Sequence, residues 1–269
     1  MKLIRKEDIL EFTKEYEGER FPDGRPCVPD NIIERMKKVT IEEAWGVLQG
    51  QGYRFQFAGD WVNLHPDRVL VGRAVTCAFV PLRPDFQSVV EAQGKADERI
   101  GGQNSWVIDT LVENDTIVVD LFGKVKDGTF AGDNLGNAIF ARSKTGMVID
   151  GGIRDLDGIY SLPDFATFVR GVDPSAIANV TLTGINIPIR IGEATVLPGD
   201  IVLGKRGGLI FIPPHLAQEI VERSENIRMR DRFGHQRLRE GKYTPGEVDR
   251  AWSEEIEADF AEWCKIQEL

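Results

Sequence analysis

The apolar positions of this 269-residue chain change spacing as the sequence runs. Up to about Tyr53 they suit helices: Thr40-Ile41-Glu42-Glu43 has the form of a capping box, and Ala44, Trp45 and Leu48 behind it make one apolar face. This segment, residues 1–53, is expected to pack as helices on the main body. From Val69 the apolar residues run together. Val69-Leu70-Val71 and the stretch 74–80, ended by Pro81, are rich in β-branched and aromatic residues and predict a strand or a strand pair. Residues 85–99 return to a helix-compatible pattern with Val89, Val90 and Ala92, and Gly101-Gly102 closes it as a loop.

Short apolar runs then alternate with helical stretches. Strands are predicted at 116–120, 146–150 and 166–169, with a helix over 135–143 and a turn or short helix over 156–161. Continuous apolar strands separated by helices indicate an α/β sheet buried on at least one face and partly parallel. Four further runs, 187–191, 194–197, 200–203 and 209–212, are joined by close turns at Gly192, Pro198-Gly199 and Gly207-Gly208, which predicts a compact β-rich unit. Pro198-Gly199 suits a type II turn, since proline fixes one φ and glycine supplies the positive one.

After Pro213-Pro214 the pattern is helical again. Leu216, Ile220 and Val221 share a face, and Thr244-Pro245-Gly246-Glu247 starts another helix with a capping threonine and a proline at its first position. Trp252, Ile256, Phe260, Trp263 and Ile266 recur at helical spacing, as expected of a helix docked on its own core. Two tryptophans there would also suit an anchor for a neighbouring subunit.

Composition narrows the function classes. The 33 Lys and Arg against 43 Asp and Glu leave a net charge of −10, which disfavours binding to nucleic acid or to an anionic membrane. No apolar run approaches the roughly 20 residues that span a bilayer, and the first residues lack the apolar core of a signal peptide, so a cytoplasmic location is expected. Cys27, Cys77 and Cys264 have no Cys-x-x-Cys spacing and read as reduced packing residues. His65, His215 and His235 form no metal-binding pair and suit a turn, a helix entry and the surface.

The chemistry concentrates in the middle of the chain. Gly132-Asp133-Asn134-Leu135-Gly136 leads into a predicted helix, whose first N–H groups can take a carboxylate or phosphate. Asp133 or Asn134 could equally serve as a helix cap. Twenty residues separate Asp133 from Arg154-Asp155, which follow the strand Met147-Val148-Ile149-Asp150. Gly151-Gly152 would let the backbone turn tightly there or approach a ligand, and Arg154 and Asp155 would emerge past the carboxyl end of the strand, where α/β sheets place ligands. An exposed Arg-Asp pair that only helps a turn is the plainer reading of those two residues.

Taken together, Gly132-Asp133-Asn134-Leu135, the run from Val148 through Gly151-Gly152-Ile153 to Arg154-Asp155, and Val196-Leu197-Pro198-Gly199-Asp200 resemble the family of 4-hydroxy-4-methyl-2-oxoglutarate/4-carboxy-4-hydroxy-2-oxoadipate aldolase and the regulator of ribonuclease activity A. The likeness covers roughly residues 40–220. It implies a swivelling β/β/α sandwich, here over 54–222, with added N-terminal helices and a C-terminal helical extension over 223–269, assembled as a homotrimer or homohexamer. It also implies a class II aldolase using Mg2+ or Mn2+: Asp155 as the metal ligand, Asp133 holding a metal-bound water, Arg154 on the keto oxygen of pyruvate or its enolate, and backbone amides near Gly132, Asn134 and Leu135 taking the carboxylate of a 2-oxo acid substrate. These roles agree with the residues' chemistry, because a hard cation that keeps several waters needs few protein oxygens. The cation and Arg154 together would stabilise the charge developed beside a 2-keto group. The sequence identifies no general base.

The segments before about Thr40 and after about Arg223 extend beyond the common core, residues 85–102 are not matched to the family's pattern, and the basic turn Gly204-Lys205-Arg206-Gly207-Gly208 reads as a solvated hairpin, with a more anionic substrate as the alternative. The leading expectation is a lyase that releases pyruvate from a 4-hydroxy-2-oxo acid or decarboxylates oxaloacetate. A non-catalytic ribonuclease-regulator-like binding protein and a metal-dependent hydrolase or isomerase of a sugar-derived keto acid are the alternatives; retention of Asp133, Arg154 and Asp155 argues for chemistry. No Gly-rich nucleotide loop supports a methyltransferase, and Lys124, Lys126 and Lys144 lie in polar surroundings unsuited to Schiff-base chemistry.

Overall fold

The structure, a computed structural model, describes residues 5–266. Helices α1 (Lys6–Phe12), α2 (Asp30–Met36) and α3 (Ile41–Gly50) come first, then β1 (Phe57–Ala58), β2 (Val62–Asn63), β3 (Leu70–Pro81), α4 (Pro84–Ala96) and α5 (Gln103–Ile108). The centre comprises β4 (Asp115–Ala131), α6 (Asp133–Ser143), β5 (Gly146–Ile153), α7 (Leu156–Tyr160), β6 (Ala166–Val172) and β7 (Val180–Ile185). Beyond it come β8 (Ile189–Ile191), β9 (Ala194–Val196), β10 (Ile201–Lys205) and β11 (Gly208–Ile212), a single 3-10 turn at Pro214–Leu216, and α8 (Ala217–Arg239), α9 (Pro245–Val248) and α10 (Glu254–Ile266). The chain divides into two compact units, Met1–Ile220 and Val221–Leu269.

In the first unit a nine-stranded sheet runs in the order β1-β11-β10-β3-β4-β5-β6-β2, with β7 also paired to β3. Strands β3 to β6 are mutually parallel, as their continuous apolar character predicts. One face carries helices: Val90 of α4, Trp106 of α5, Ile139 of α6 and Ile159 of α7 pack with Val119, Ile149 and Val169 of the sheet. The other face is covered by the β8–β9 hairpin, whose Ile189, Ile191, Ala194 and Val196 meet Val118, Val148 and Phe168. A helical layer, a sheet and a second β layer make the β/β/α sandwich that the family resemblance implies. The predicted separate β-rich unit is corrected by this topology, because β10 and β11 join the main sheet and only β8–β9 stand apart.

The N-terminal segment is keyed into the sandwich by charge as well as by apolar contact. Arg25, 2 % exposed, donates from Nη1 to the fully buried Asp115 at 3.0 Å and from Nε to Asp23 at 2.7 Å. Arg73 of β3 reaches back to Val28 O at 2.7 Å and Asp30 Oδ1 at 2.9 Å. Charges this buried persist only when paired. Thr40 and Glu43 form the predicted capping box, but Trp45 stands 48 % exposed while Ile41, Ala44, Val47 and Leu48 make the buried face of α3.

Strand β4 exceeds its expected length, and the reason lies in β5. Their register steps from Asp120↔Asp150 to Lys124↔Gly151, then to Thr129↔Gly152 and to Ala131↔Ile153, so the β4 ladder is irregular at three places, with Phe122 and Asp127 at positive φ. A Cβ on Gly151 would lie 2.8 Å from Leu121 Cδ2, and one on Gly152 2.8 Å from Val125 O. The two glycines therefore continue the strand and admit the bulged backbone of β4, a correction to the expected tight turn or ligand approach. The Pro198-Gly199 turn has Gly199 at φ +87° and the Asp200 N–H bonded to Leu197 O at 3.1 Å, as a type II turn requires.

The second unit is built around Phe233, which is fully buried and ringed by Trp252, Phe260 and Trp263 at centroid distances of 5.2, 5.4 and 5.9 Å. Thr244 and Glu247 cap α9 as predicted. Trp252 precedes α10, and Ile266 is 77 % exposed, so the apolar stripe is shorter than its sequence spacing. Among the described residues no helix is long and apolar enough to cross a membrane. The three cysteines are free thiols, with Cys77 buried.

Candidate functional site

The motif residues meet where β4 and β5 end. Strand β4 stops at Ala131, Gly132 is the extended residue before α6, and Asp133 is the first residue of that helix. On the neighbouring strand, Ile153 closes β5, and the Arg154 N–H donates to Ala131 O at 3.1 Å, tying the two strand ends together. Asp155 then takes a left-handed conformation, φ 54° and ψ 50°, which aspartate tolerates better than most residues. Its carbonyl accepts from Gly158 N at 3.1 Å and Ile159 N at 3.2 Å and so starts α7.

That single left-handed residue brings the carboxylate over Gly132. A Cβ on Gly132 would sit 2.3 Å from Asp155 Oδ2 and 3.2 Å from Arg154 Cγ and Nε. The absent side chain is the space the Arg154-Asp155 pair occupies. Arg154 Nε lies 3.5 Å from Asp155 Oδ2, with both side chains a little under half exposed. Asp133 faces the same corner from α6: a Cβ on Gly158 would meet Asp133 Cβ at 2.5 Å and its Oδ2 at 3.3 Å. The two glycines thus make room for the Arg154-Asp155 pair beside Gly132 and for Asp133 against α7.

The amide cradle is partly occupied from within. Asn134 N donates to Asp133 Oδ1 at 2.7 Å, and Gly136 N opens the helical ladder to Gly132 O at 2.8 Å. Asp133 and Leu135 contribute the other N–H groups of the first turn, for which a helix provides no acceptor. The Leu135 side chain packs against the helical-face core, so only its backbone serves the site. Gly132, Asp133, Leu135, Arg154 and Asp155 are therefore together, while the exposed Asn134 has its amide turned to Asp133.

Sequence reasoning missed two contributors. Gly158, within a segment that reads simply as a short helix, makes room for Asp133. Asn104, just after Gly101-Gly102, donates from Nδ2 to Phe130 O at 2.8 Å and fixes the start of α5 beside the end of β4. A polar residue after a glycine pair is the one signal the sequence holds for it.

The arrangement offers two carboxylates, one guanidinium and the positive end of a helix. Among the described residues no three His, Cys, Asp or Glu side chains converge as a metal cage. The donors fit a divalent cation of the Mg2+ or Mn2+ type, because Asp155 Oδ2 is only loosely paired at 3.5 Å, half open to solvent, and such ions keep most of their shell as water and substrate oxygens.

Comparisons with known proteins place the chain in a family. The sequence profile described as Aldolase/RraA, of the RraA-like family, matches residues 38–211. A Methanocaldococcus jannaschii protein, "Uncharacterized protein MJ0644", is 31% identical over 145 residues, 52% of this chain and 69% of that protein. "Putative 4-hydroxy-4-methyl-2-oxoglutarate aldolase" of Halalkalibacterium halodurans is 28% identical over 160 residues, 58% of this chain and 74% of that protein. Among solved structures, Streptomyces coelicolor RraAS2, described as an unusual member of the RNase ES inhibitor RraA protein family, superposes with a TM-score of 0.67 at 23% identity, over 78% of this chain and 100% of that one. An uncharacterized Pseudomonas syringae protein gives 0.68 at 21% identity, over 86% and 99%. With a profile match over well more than half its length and the same fold in two solved relatives, the chain belongs to the RraA-like, Aldolase/RraA family.

Proposed function

We propose that this protein is a divalent-metal-dependent lyase of the class II aldolase type, cleaving a C–C bond in a 4-hydroxy-2-oxo acid to release pyruvate, with oxaloacetate decarboxylation as a related reaction at the same site. The observation that carries this reading is the seating of Arg154 and Asp155 over Gly132, at the start of α6 and beside Asp133. The name of the Halalkalibacterium halodurans relative supports it.

In this reading the first-turn amides of α6, those of Gly132, Asn134 and Leu135 among them, bind the carboxylate of the 2-oxo acid. The Asn134 amide joins only when Asp133 releases it. Arg154 orients the 2-keto oxygen and stabilises the negative charge that gathers there as the C3–C4 electron pair moves into the enolate. The 4-hydroxyl loses its proton and becomes the carbonyl of the departing fragment, and C3 of the enolate gains a proton to give pyruvate. Asp155 would hold Mg2+ or Mn2+ directly, with Asp133 reaching it through water. When bound, the cation supplies Lewis-acid polarisation of the keto oxygen. The base for the 4-hydroxyl proton would be a water held by Asp133 or a carboxylate from a neighbouring copy in a trimer or hexamer.

Purified protein supplied with 4-hydroxy-4-methyl-2-oxoglutarate and Mg2+ or Mn2+ is expected to release pyruvate, to stop in EDTA and to recover when metal is restored. Arg154→Ala and Asp155→Ala should each lower kcat/KM by roughly a hundredfold or more. Full activity in either variant, or in EDTA, would overturn the mechanism.

A further inference from the structure

A cavity of about 250 Å³, with neither Arg154 nor Asp155 in its wall, is lined partly by residues outside the family match. Phe12 and Glu15 enter from the N-terminal segment, Tyr53 from the stretch after α3, Asp200 from the Pro-Gly-Asp turn, and Pro213 and His215 from the approach to α8. All belong to the first unit. The polar groups converge: Tyr53 Oη lies 3.3 Å from His215 Nε2, and Glu15 Oε2 lies 3.2 Å from the same nitrogen.

Asp200 is the unusual member. It is 2 % exposed, lines the cavity, and accepts one bond, from Leu197 N to Oδ2 at 2.8 Å. Burial, opposed only by that amide, pushes its carboxyl up to about 8. Lys14 also lines the cavity but makes no ion pair with Asp200. A carboxyl withdrawn from water with no cation beside it is costly unless it is protonated or a positive charge is brought to it. The same cavity is walled by the rings of Phe12 and Tyr53 and by the apolar Pro213 and Leu197.

We propose that this cavity is a binding site for a small organic ammonium, its charge on the Asp200 carboxylate and its apolar body between Phe12, Tyr53 and Pro213. Aromatic faces attract such cations, and a desolvated carboxylate gives the interaction strength that an exposed pair lacks. An isosteric alcohol cannot supply the missing charge, and an anion meets Asp200 and Glu15. The site is independent of the lyase reading, since it shares no residue with it.

Calorimetric titration of the full chain at about pH 8.5, where Asp200 is largely ionised, tests this with benzylammonium, benzyl alcohol and benzoate as probes. Benzylammonium should saturate one site per chain, benzyl alcohol should bind about tenfold more weakly or worse, and benzoate should not bind. Asp200→Asn, which keeps an oxygen for the Leu197 amide, should weaken benzylammonium by about tenfold or more. Phe12→Ala, at the partly exposed rim and safe for folding, should weaken it severalfold. Equal binding of the alcohol or of benzoate, no saturable binding of benzylammonium, or unchanged affinity in both variants would overturn the proposal.

Discussion

At the scale of single residues, the site depends on an absence. Gly132 is extended, with φ −114° and ψ −161°, a conformation open to any residue, so its importance lies in the side chain it lacks. Gly132→Ala should leave thermal stability nearly unchanged, because Asp155 is surface-accessible and can move. It should nonetheless lower pyruvate release by about a hundredfold, since the displaced carboxylate and guanidinium no longer share a position; normal activity in this variant would show that the pair works elsewhere. Asp133, Arg154 and Asp155 are legible in the sequence as a motif. The left-handed turn at Asp155 and the role of Gly158 are not, since a conformation confined to one residue leaves no periodic trace. Asp200 carries a prediction of its own. Its folded-state carboxyl titrates near 8, against 3.8 when unfolded, so between these the folded chain holds a proton that the unfolded chain has lost. Stability from this group is therefore full below about pH 4 and declines as pH rises towards 8. Asp200→Asn should flatten that decline and be more stable than the parent at about pH 9, which denaturant melts across the range would measure.

At the scale of elements, the strands and helices with an uninterrupted apolar signature are readable: β3, β5, β6, α6 and both capping boxes lie close to where the pattern puts them. The misses have a common cause in pairing between distant segments. Residues 121–131 look like a loop, with Gly123, Lys124, Lys126, Asp127 and Gly128, yet they continue β4 because Gly151 and Gly152 accept the bulged chain. Strand β7 escapes a sequence reading for a similar reason, since Val180-Thr181-Leu182-Thr183 is short and becomes a strand by lying along the far half of β3. Element junctions can be tested singly. Thr40→Ala removes the acceptor for Glu43 N, 3.1 Å away, and should cost about 1 kcal/mol in a denaturant melt while leaving activity intact. Gly158→Ala acts differently, driving α7 away from Asp133, and should reduce activity more than stability.

At the scale of the whole molecule, the family profile ends at Phe211, and the chain beyond that residue includes a unit with a core of its own. Phe233→Ala should destabilise that unit by about 3–5 kcal/mol, because a ring packed against Tyr243, Trp252, Phe260 and Trp263 leaves a cavity that nothing small fills. Fluorescence of Trp252 and Trp263 would report the loss, and retention of their native emission in the variant would count against Phe233 as the centre. The buried, partly parallel sheet is legible from the alternation of apolar runs with helices and the β/β/α layering from the family resemblance, whereas the assignment of β10 and β11 to the main sheet is not, because local spacing carries no information about which distant edge a hairpin will join. That edge bears on how the protein is made. Strand β3 pairs along one side with β10, Leu70 opposite Gly204, and with β7, Cys77 opposite Ile185. On the ribosome, β3 and β4 emerge before either partner, leaving an unpaired apolar edge until the stretch 180–205 is made. Translation speed over the stretch 180–205, and chaperone supply until it appears, should therefore govern the yield of native chain more than any single contact in the finished fold.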